Sequence, residues 1–170
     1  MQTQSKILLF LFVVFNLTTF VFAKLTYASS TDTVTATVTV QNISVSVTDG
    51  TVAYGTLAVN TSTGTNASDT QTASNDGNIT EDFNIKGQNS ASWTLDSSNA
   101  TEDHYIHRFC TSSCTSPPTS YTALTTNYQT LANDVSSSGN QTFDLYITTP
   151  QTSTVYTQQS VDVMVQAVAA

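Results

Sequence analysis

The sequence predicts an all-β protein, an antiparallel β-sandwich of the immunoglobulin-like or jelly-roll-like kind that follows an N-terminal signal peptide as a single domain. Short segments in which apolar and polar residues alternate recur along the chain, which is the period of a half-buried strand. Polar turn segments separate them, and no convincing helical pattern intervenes. Two sheets packed face to face would bury one apolar face each, which favours a sandwich; a closed barrel is the alternative.

The first residues have the features of a secretory signal peptide. Lys6 precedes an uncharged, largely apolar run that closes on Val21-Phe22-Ala23. The run is shorter than the roughly 20 apolar residues of a membrane-spanning helix. We therefore expect residues 1–23 to be a cleaved signal peptide and residues 24–170 to form the exported domain. The expected location is extracellular or at the cell surface, with no membrane span after cleavage.

Alternation predicts the strands of the first half of the exported domain. Val34–Val40 is the first, with three valines and an alanine on one face, and Ile43–Val47 is the second. Asp49-Gly50 suits the φ > 0 positions of a hairpin turn. The next strand is expected over Val52–Val59, where the alternation changes parity at Gly55 and so predicts a bulge.

The middle of the chain predicts shorter strands between polar segments. Residues 60–76 are expected to be a loop that contains a short strand near Asp69–Ser74. The pattern Ile79–Ile85 predicts a strand in which Glu81 lies near the solvated end. Two further strands are expected, a short one at Trp93–Leu95 and another over Tyr105–Phe109.

The C-terminal part ends on two clear strands. Residues 121–132 are ambiguous, and we expect a turn or short strand there because Ser/Thr and β-branched residues weaken a helix. Phe143–Ile147 alternates, and Pro150 ends that strand because proline cannot donate to a ladder. Val161–Ala167 is the last predicted strand.

Charged residues are scarce and mostly acidic, which argues against nucleic acids and anionic lipids as partners. The chain has a net charge of −8, and loss of Lys6 with the signal peptide leaves 3 basic residues against 12 acidic ones. Nucleic acids and anionic lipids are bound by Lys and Arg, so neither is an expected partner. About one residue in five is threonine, so uncharged polar side chains must provide solubility.

Cys110 and Cys114 are the two cysteines, and an isolated pair in an exported protein predicts a disulfide. Three intervening residues allow the geometry if the segment turns. A metal site formed by His104, His107, Cys110 and Cys114 is the alternative by residue type. Neighbouring strand positions point to opposite faces, however, so His107 should point away from His104 and Cys110. We therefore expect both histidines at the surface and no metal, and free or intermolecular thiols remain a third alternative.

Nothing in the sequence predicts an enzyme or a cofactor. Serine is so abundant that a Ser/His/Asp combination occurs by chance, and no nucleophile motif marks one. The turn Asn75-Asp76-Gly77-Asn78 offers oxygen ligands for calcium but lacks the spacing of a calcium loop, so a simple turn is expected. Trp93 is the candidate ligand contact, since an exposed tryptophan can stack on a sugar, although a core position is the alternative.

Six asparagines begin an Asn-x-Ser/Thr sequence and are candidate glycosylation sites. They are Asn42, Asn60, Asn66, Asn78, Asn99 and Asn140. The motif is weak evidence here, because a chain this rich in serine and threonine contains it by chance.

The stretch Thr72–Ile85, with its Asn75-Asp76-Gly77-Asn78 turn and alternating strand, is followed by Trp93-Thr94-Leu95 and by a closing strand over Gln159–Ala167. In these features the exported domain resembles secreted bacterial surface β-sandwich proteins of the WxL and camelysin–TasA types. It departs from the WxL pattern because Trp93 is the only tryptophan, so the second Trp-x-Leu motif is missing. The resemblance implies a structural or adhesive role at a cell surface or in an extracellular matrix.

The alternating segment behind the signal peptide offers a mechanism for such a role. Edge strands pair with neighbouring chains unless lysine, proline or a bulge protects them, and this chain has almost no lysine. Thr31–Gln41 is shaped to add to the sheet of a second copy, so self-association as a cell-envelope component is one hypothesis. The alternatives are that the segment is the first strand of its own sandwich, or that the protein is a binding module for carbohydrate or a protein partner.

Overall fold

The computed structural model describes residues 30–65 and 69–170. The predicted signal peptide, the first residues after it and the sequon at Asn66 lie outside the described residues. Ten strands and no helix are assigned in the described part of the chain, so the all-β prediction is confirmed. The strands are β1 (Val45–Thr48), β2 (Ser62–Gly64), β3 (Gln71–Asn75), β4 (Glu81–Lys86), β5 (Thr94–Leu95), β6 (His104–Cys110), β7 (Thr122–Ala123), β8 (Gln129–Val135), β9 (Asn140–Thr148) and β10 (Met164–Ala169).

Seven strands form the larger of two sheets. Its main order is β1-β3-β9-β6-β5, while β2 adds to β9 and β7 adds to β6. The pairs are antiparallel except β5 with β6, which run parallel. The register places Phe143 opposite Gln71 and Leu145 opposite Phe109, so β9 is the central strand of this sheet.

The smaller sheet has the order β10-β4-β8 and is antiparallel throughout. The ladder between β4 and β8 shifts register between Glu81 and Asn84, an irregularity of the bulge kind. Among the described strands β10 pairs only with β4, so its other edge carries no ladder.

Both sheets contribute to one hydrophobic core. On β4, Phe83 and Ile85 are wholly buried, and on β9 the buried residues are Phe143 and Leu145, again at alternate positions. The core cluster also contains Ala73, Phe109, Leu124, Leu131 and Val135. A fully buried Phe, Ile or Leu side chain contributes roughly 1.5–3 kcal/mol, so this cluster holds the two sheets together.

The predicted strand Val34–Val40 is not assigned as a strand. The chain divides into two units, of which Thr39–Ala170 is the compact β unit. Val34, Val38 and Val40 are 96%, 90% and 79% exposed. A strand is assigned by its ladder, and no ladder of this segment is assigned within the described residues.

Two other predictions were wrong. Val52–Val59 is irregular rather than a strand, because Gly55 has φ of +72° and interrupts the extended backbone where the parity changes. Glu81 is 0% exposed rather than solvated, because the turn before β4 and the chain before β1 both cover it. The last strand begins at Met164 rather than Val161, and β2 was not predicted.

The remaining strand predictions are confirmed to within a few residues at β1, β3, β4, β5, β6 and β9. The ambiguous region 121–132 contains β7 and the start of β8. No helix in the described part of the chain is long and apolar enough to cross a membrane.

Candidate functional site

A cleft of about 980 Å³ is bounded on two sides by segments that are not strands. One wall is the segment 50–59, which follows β1, and the other is the segment 155–163, which leads into β10. Side chains of β9 also line it, at positions 143, 145 and 147. The cleft therefore opens toward the core between the two wall segments, beside the edge of β10 that pairs with no described strand.

The strand register orders the cleft from an apolar part to a polar part. Val47 pairs with Ala73 at the part of β9 that precedes Phe143, while His107 pairs with Ile147 further along β9. The apolar part is lined by Val47, Phe143, Leu145, Val163 and Val165, and the polar part by Tyr54, Trp93, His107, Thr149 and Ser153.

His107 is 3% exposed, and its environment keeps it neutral at pH 7. Its Nε2 lies 2.8 Å from the hydroxyl oxygen of Tyr54, while Nδ1 is buried without a hydrogen-bond partner. Burial lowers the pKa of His107 to about 4, and burial together with the nearby Asp69 raises the pKa of Tyr54. A neutral imidazole and a neutral phenol thus join β6 to the wall segment 50–59.

A second polar chain fixes Trp93 at the same part of the cleft. The indole Nε1 of Trp93 donates to Ser153 Oγ at 3.0 Å, and Ser153 Oγ donates to Asp103 Oδ1 at 2.8 Å. Hydrogen bonds from the Thr154 hydroxyl, then the Thr154 backbone and Ser153, lower the pKa of Asp103. Trp93 is half-buried and its ring centroid lies 6.3 Å from that of Tyr105, so this candidate ligand contact is a fixed part of the cleft wall.

The cleft carries almost no charge. Asp162 is the one residue with a formal charge among those that line it, since His107 is neutral. Val163 and Val165 lead along β10, which contains no lysine, proline or bulge. Three of the features that commonly protect a sheet edge, lysine, proline and a bulge, are therefore absent from β10.

The cysteines lie together on β6 and the turn after it. Cys110 and Cys114 are at disulfide-bonding distance, with Cα atoms 5.7 Å apart. The sequence predicts surface positions for both histidines, and this is wrong for His107, because its side chain shares the buried face of β6 with Tyr105 and Phe109. His104 is half-buried, and its Nδ1 lies 2.8 Å from the carbonyl oxygen of Glu102.

A serine–carboxylate contact lies at the polar part of the cleft, next in sequence to a histidine. Ser153 contacts Asp103, but the ring nitrogen Nδ1 of His104 is engaged with a backbone carbonyl instead. No group of three or more His, Cys, Asp or Glu side chains that could hold a metal occurs in residues 30–65 and 69–170. In the 75–78 turn, Asn75 Oδ1 accepts from the Gly77 amide, so this oxygen closes the turn.

The described sequon asparagines are all exposed: Asn42, Asn60, Asn78, Asn99 and Asn140. Asn78 differs from the others because its side chain bonds to another segment of the chain, donating to the Val40 carbonyl and accepting from the Asn42 amide.

No protein-family model matches the chain, and neither a curated protein nor a solved structure matches it significantly. The geometry of the described residues therefore supplies the argument for function.

Sequence reasoning missed the cleft because it depends on two segments that are not strands. The alternation of Tyr105, His107 and Phe109 was a usable signal, since it places His107 on the apolar face. Ser153 lies 60 positions from Trp93 and 50 from Asp103 in the chain, and no local pattern marks hydrogen bonds over such separations.

Proposed function

We propose that this protein is a secreted, non-enzymatic structural or adhesive component of a cell surface or extracellular matrix. Its two sheets would form an antiparallel sandwich of the immunoglobulin-like or jelly-roll-like kind. Copies would assemble by strand addition: the N-terminal arm, Thr31–Gln41, of one copy occupies the cleft of a second copy. The observation that carries this proposal is the exposed alternating arm, found in the same chain as an apolar cleft beside an open strand edge.

The arm has the properties of a strand without a sheet. Thr33 to Val40 alternates between threonine and an apolar residue, and Val34, Val38 and Val40 are each more than three-quarters exposed. Extended at about 3.3 Å per residue, the 11 residues of Thr31–Gln41 span roughly 36 Å. That length exceeds the six residues of β10, so the arm is long enough to pair along the whole strand.

The cleft has the matching properties of an acceptor. Its apolar part includes Val163 and Val165 next to the open edge of β10, together with Phe143 and Leu145 from the core. An added strand would bond to the β10 backbone and place alternate side chains on the core. The arm carries only Asp32 as a charged residue, and the cleft only Asp162, so most of both surfaces is uncharged.

The free energy available from this contact is of the right order. Burial of three valine side chains contributes roughly 4.5–9 kcal/mol before the cost of association. Association and ordering of the arm oppose this gain by a comparable amount. Backbone hydrogen bonds between the arm and β10 must then supply the net free energy of association. Assembly would therefore depend on unpaired backbone groups at the edge of β10.

The secretory signal predicted over residues 1–23 supports an extracellular location. The resemblance to WxL and camelysin–TasA surface proteins supports a structural role, and the low content of lysine and arginine supports a partner other than nucleic acid.

Deletion of Thr31–Gln41 tests the proposal directly. The exported chain should form oligomers by size-exclusion chromatography and extended assemblies by electron microscopy, and the deleted chain should be monomeric with an unchanged far-UV circular dichroism spectrum. An identical oligomer distribution for both chains would refute strand addition.

A matched pair of point variants separates pairing geometry from general solubility. Val38→Asp places a charge on the face of the arm that enters the cleft, while Thr37→Asp places it on the opposite face. Val38→Asp should abolish the oligomers, and Thr37→Asp should retain most of them. Equal loss of oligomers in both variants would show that the added charge blocks assembly whichever face of the arm carries it, and would contradict insertion of the valine face.

A binding module is the second candidate function, and Trp93 favours it. Trp93, Tyr54 and Tyr156 all line the cleft, and Tyr156 is 85% exposed at its rim, as in a platform that stacks on a sugar. A glycan array with the arm-deleted chain distinguishes the two functions. Glycan binding that Trp93→Ala abolishes would support the binding module. Absence of glycan binding would favour assembly by strand addition.

A further inference from the structure

The C-terminal end of the arm joins a segment, residues 40–44, that is held beside residues 76–81 by backbone and side-chain hydrogen bonds. Backbone bonds run from the Asp76 amide to the Ser44 carbonyl at 2.8 Å and from the Asn78 amide to the Asn42 carbonyl at 3.1 Å. Side chains add three more bonds. We call these five hydrogen bonds the arm-root clamp.

Asn78 acts in the clamp as a substitute for a strand residue. Its Oδ1 accepts from the Asn42 amide at 2.8 Å, and its Nδ2 donates to the Val40 carbonyl at 2.9 Å. One side-chain amide thus offers the acceptor and the donor that a neighbouring strand would offer. The hydrogen-bonded contact thus extends to Val40, beyond the last paired residue of β1, although no strand is assigned to residues 76–80.

Glu81 completes the clamp from inside the molecule. Its Oε1 accepts from the Ser44 amide at 2.9 Å, while Oε2 is buried without a hydrogen-bond partner. Gly77 packs against this carboxylate so closely that a Cβ atom would collide with Glu81 Oε1 and the Asn42 carbonyl oxygen. A buried carboxylate with an unsatisfied oxygen costs stability. Its bond to the chain before β1 therefore points to a role in positioning that chain.

We infer that the arm-root clamp is a positioning device that keeps the arm from folding into its own cleft and so directs it to a second copy. This inference rests on the proposed assembly by strand addition. β1 begins at Val45 and Val47 lines the cleft, so an arm that entered its own cleft would have to reverse direction within residues 41–44. A reversal of that length is a tight turn, and residues in a turn cannot keep the five clamp hydrogen bonds to residues 76–81.

Hydrogen exchange on the monomeric fraction of the exported chain tests the inference. Asn78→Ala removes two clamp bonds, and the Asn42 amide, which loses its acceptor, should exchange at least about fivefold faster. Amides of residues 33–40, which we expect to exchange rapidly in the wild-type monomer, should become protected as the arm enters its own cleft. The oligomer fraction should fall together with this change.

Two further variants and a control keep the test decisive if Asn78→Ala folds poorly. Gly77→Ala should open the clamp by collision and give the same exchange pattern, while Glu81→Gln keeps the carbonyl acceptor and should leave exchange at Ser44 close to wild type. Asn140→Ala, at an exposed asparagine outside the clamp, should change none of these quantities. Faster exchange at Asn42 with an unprotected arm and an undiminished oligomer fraction would overturn the inference. Failure of the wild-type chain to assemble would instead refute the proposed function, and arm protection in the variant monomers would still test the clamp.

Discussion

Three of the buried polar side chains in the described part of this protein have uncharged hydrogen-bond partners. His107 contacts the neutral phenol of Tyr54, Asn75 bonds to backbone groups around the 75–79 turn, and Glu81 accepts from the Ser44 amide. The position of His107 follows from the alternation along β6, which sequence alone shows. The burial of Glu81 does not, because it depends on residues 42–44, which are far from β4 in the chain.

His107 should make the protein less stable in acid. The unfolded chain takes up a proton near the ordinary pKa of 6.5, and the folded chain only near pH 4, so stability falls as pH decreases through this window. The shift corresponds to a loss of about 3 kcal/mol between pH 7 and pH 4. Urea unfolding should show a smaller loss over this range for His107→Gln than for wild type. Equal losses for the two proteins would contradict a buried neutral imidazole.

Asn75 should be among the most sensitive polar positions. Its Nδ2 donates to the carbonyls of Ile79 and Val135, and its Oδ1 accepts from the Gly77 amide. Asn75→Ala leaves these buried groups unpaired and should lower the free energy of unfolding by about 2–4 kcal/mol. Asn133→Ala, at an exposed position of β8, should change it by less than about 0.5 kcal/mol. A loss at Asn75 no larger than that at Asn133 would show that water satisfies these groups.

At the scale of elements, the sequence predicted where paired strands lie better than where pairing fails. β6 and β9 were found because apolar residues recur at every second position in each of them. Val52–Val59 has the same alternation, yet Gly55 with its positive φ turns this segment into a cleft wall. Period alone cannot separate a strand from an irregular segment that also buries alternate side chains.

The turn after β6 should depend on its cysteines. A bond between Cys110 and Cys114, four positions apart, closes a small loop and stabilises the folded chain by about 2 kcal/mol through loss of entropy in the unfolded chain. The double variant Cys110→Ser, Cys114→Ser should unfold at correspondingly lower urea concentration, and reductant should shift the wild type but not the variant. A wild-type midpoint that ignores reductant would indicate free thiols.

At the scale of the whole molecule, the cleft and the arm should behave as separable partners. A free peptide of residues 31–41 should bind the arm-deleted chain and raise its melting temperature. At a hundredfold excess over its dissociation constant the peptide stabilises the fold by about 2.7 kcal/mol. The same peptide with Val38→Asp should have no effect, and equal stabilisation by both peptides would contradict insertion of the valine face.

The proposed insertion of one copy's arm into the cleft of another has a consequence for growth. A contact between two different surfaces does not close on itself unless the copies complete a ring, so successive additions produce an open row. Every such row has one terminal copy with an unfilled cleft and another with an unused arm. The row would therefore be polar: an arm-deleted copy would accept the unused arm and stop extension at that terminus, while the terminus with the unfilled cleft would stay free to grow.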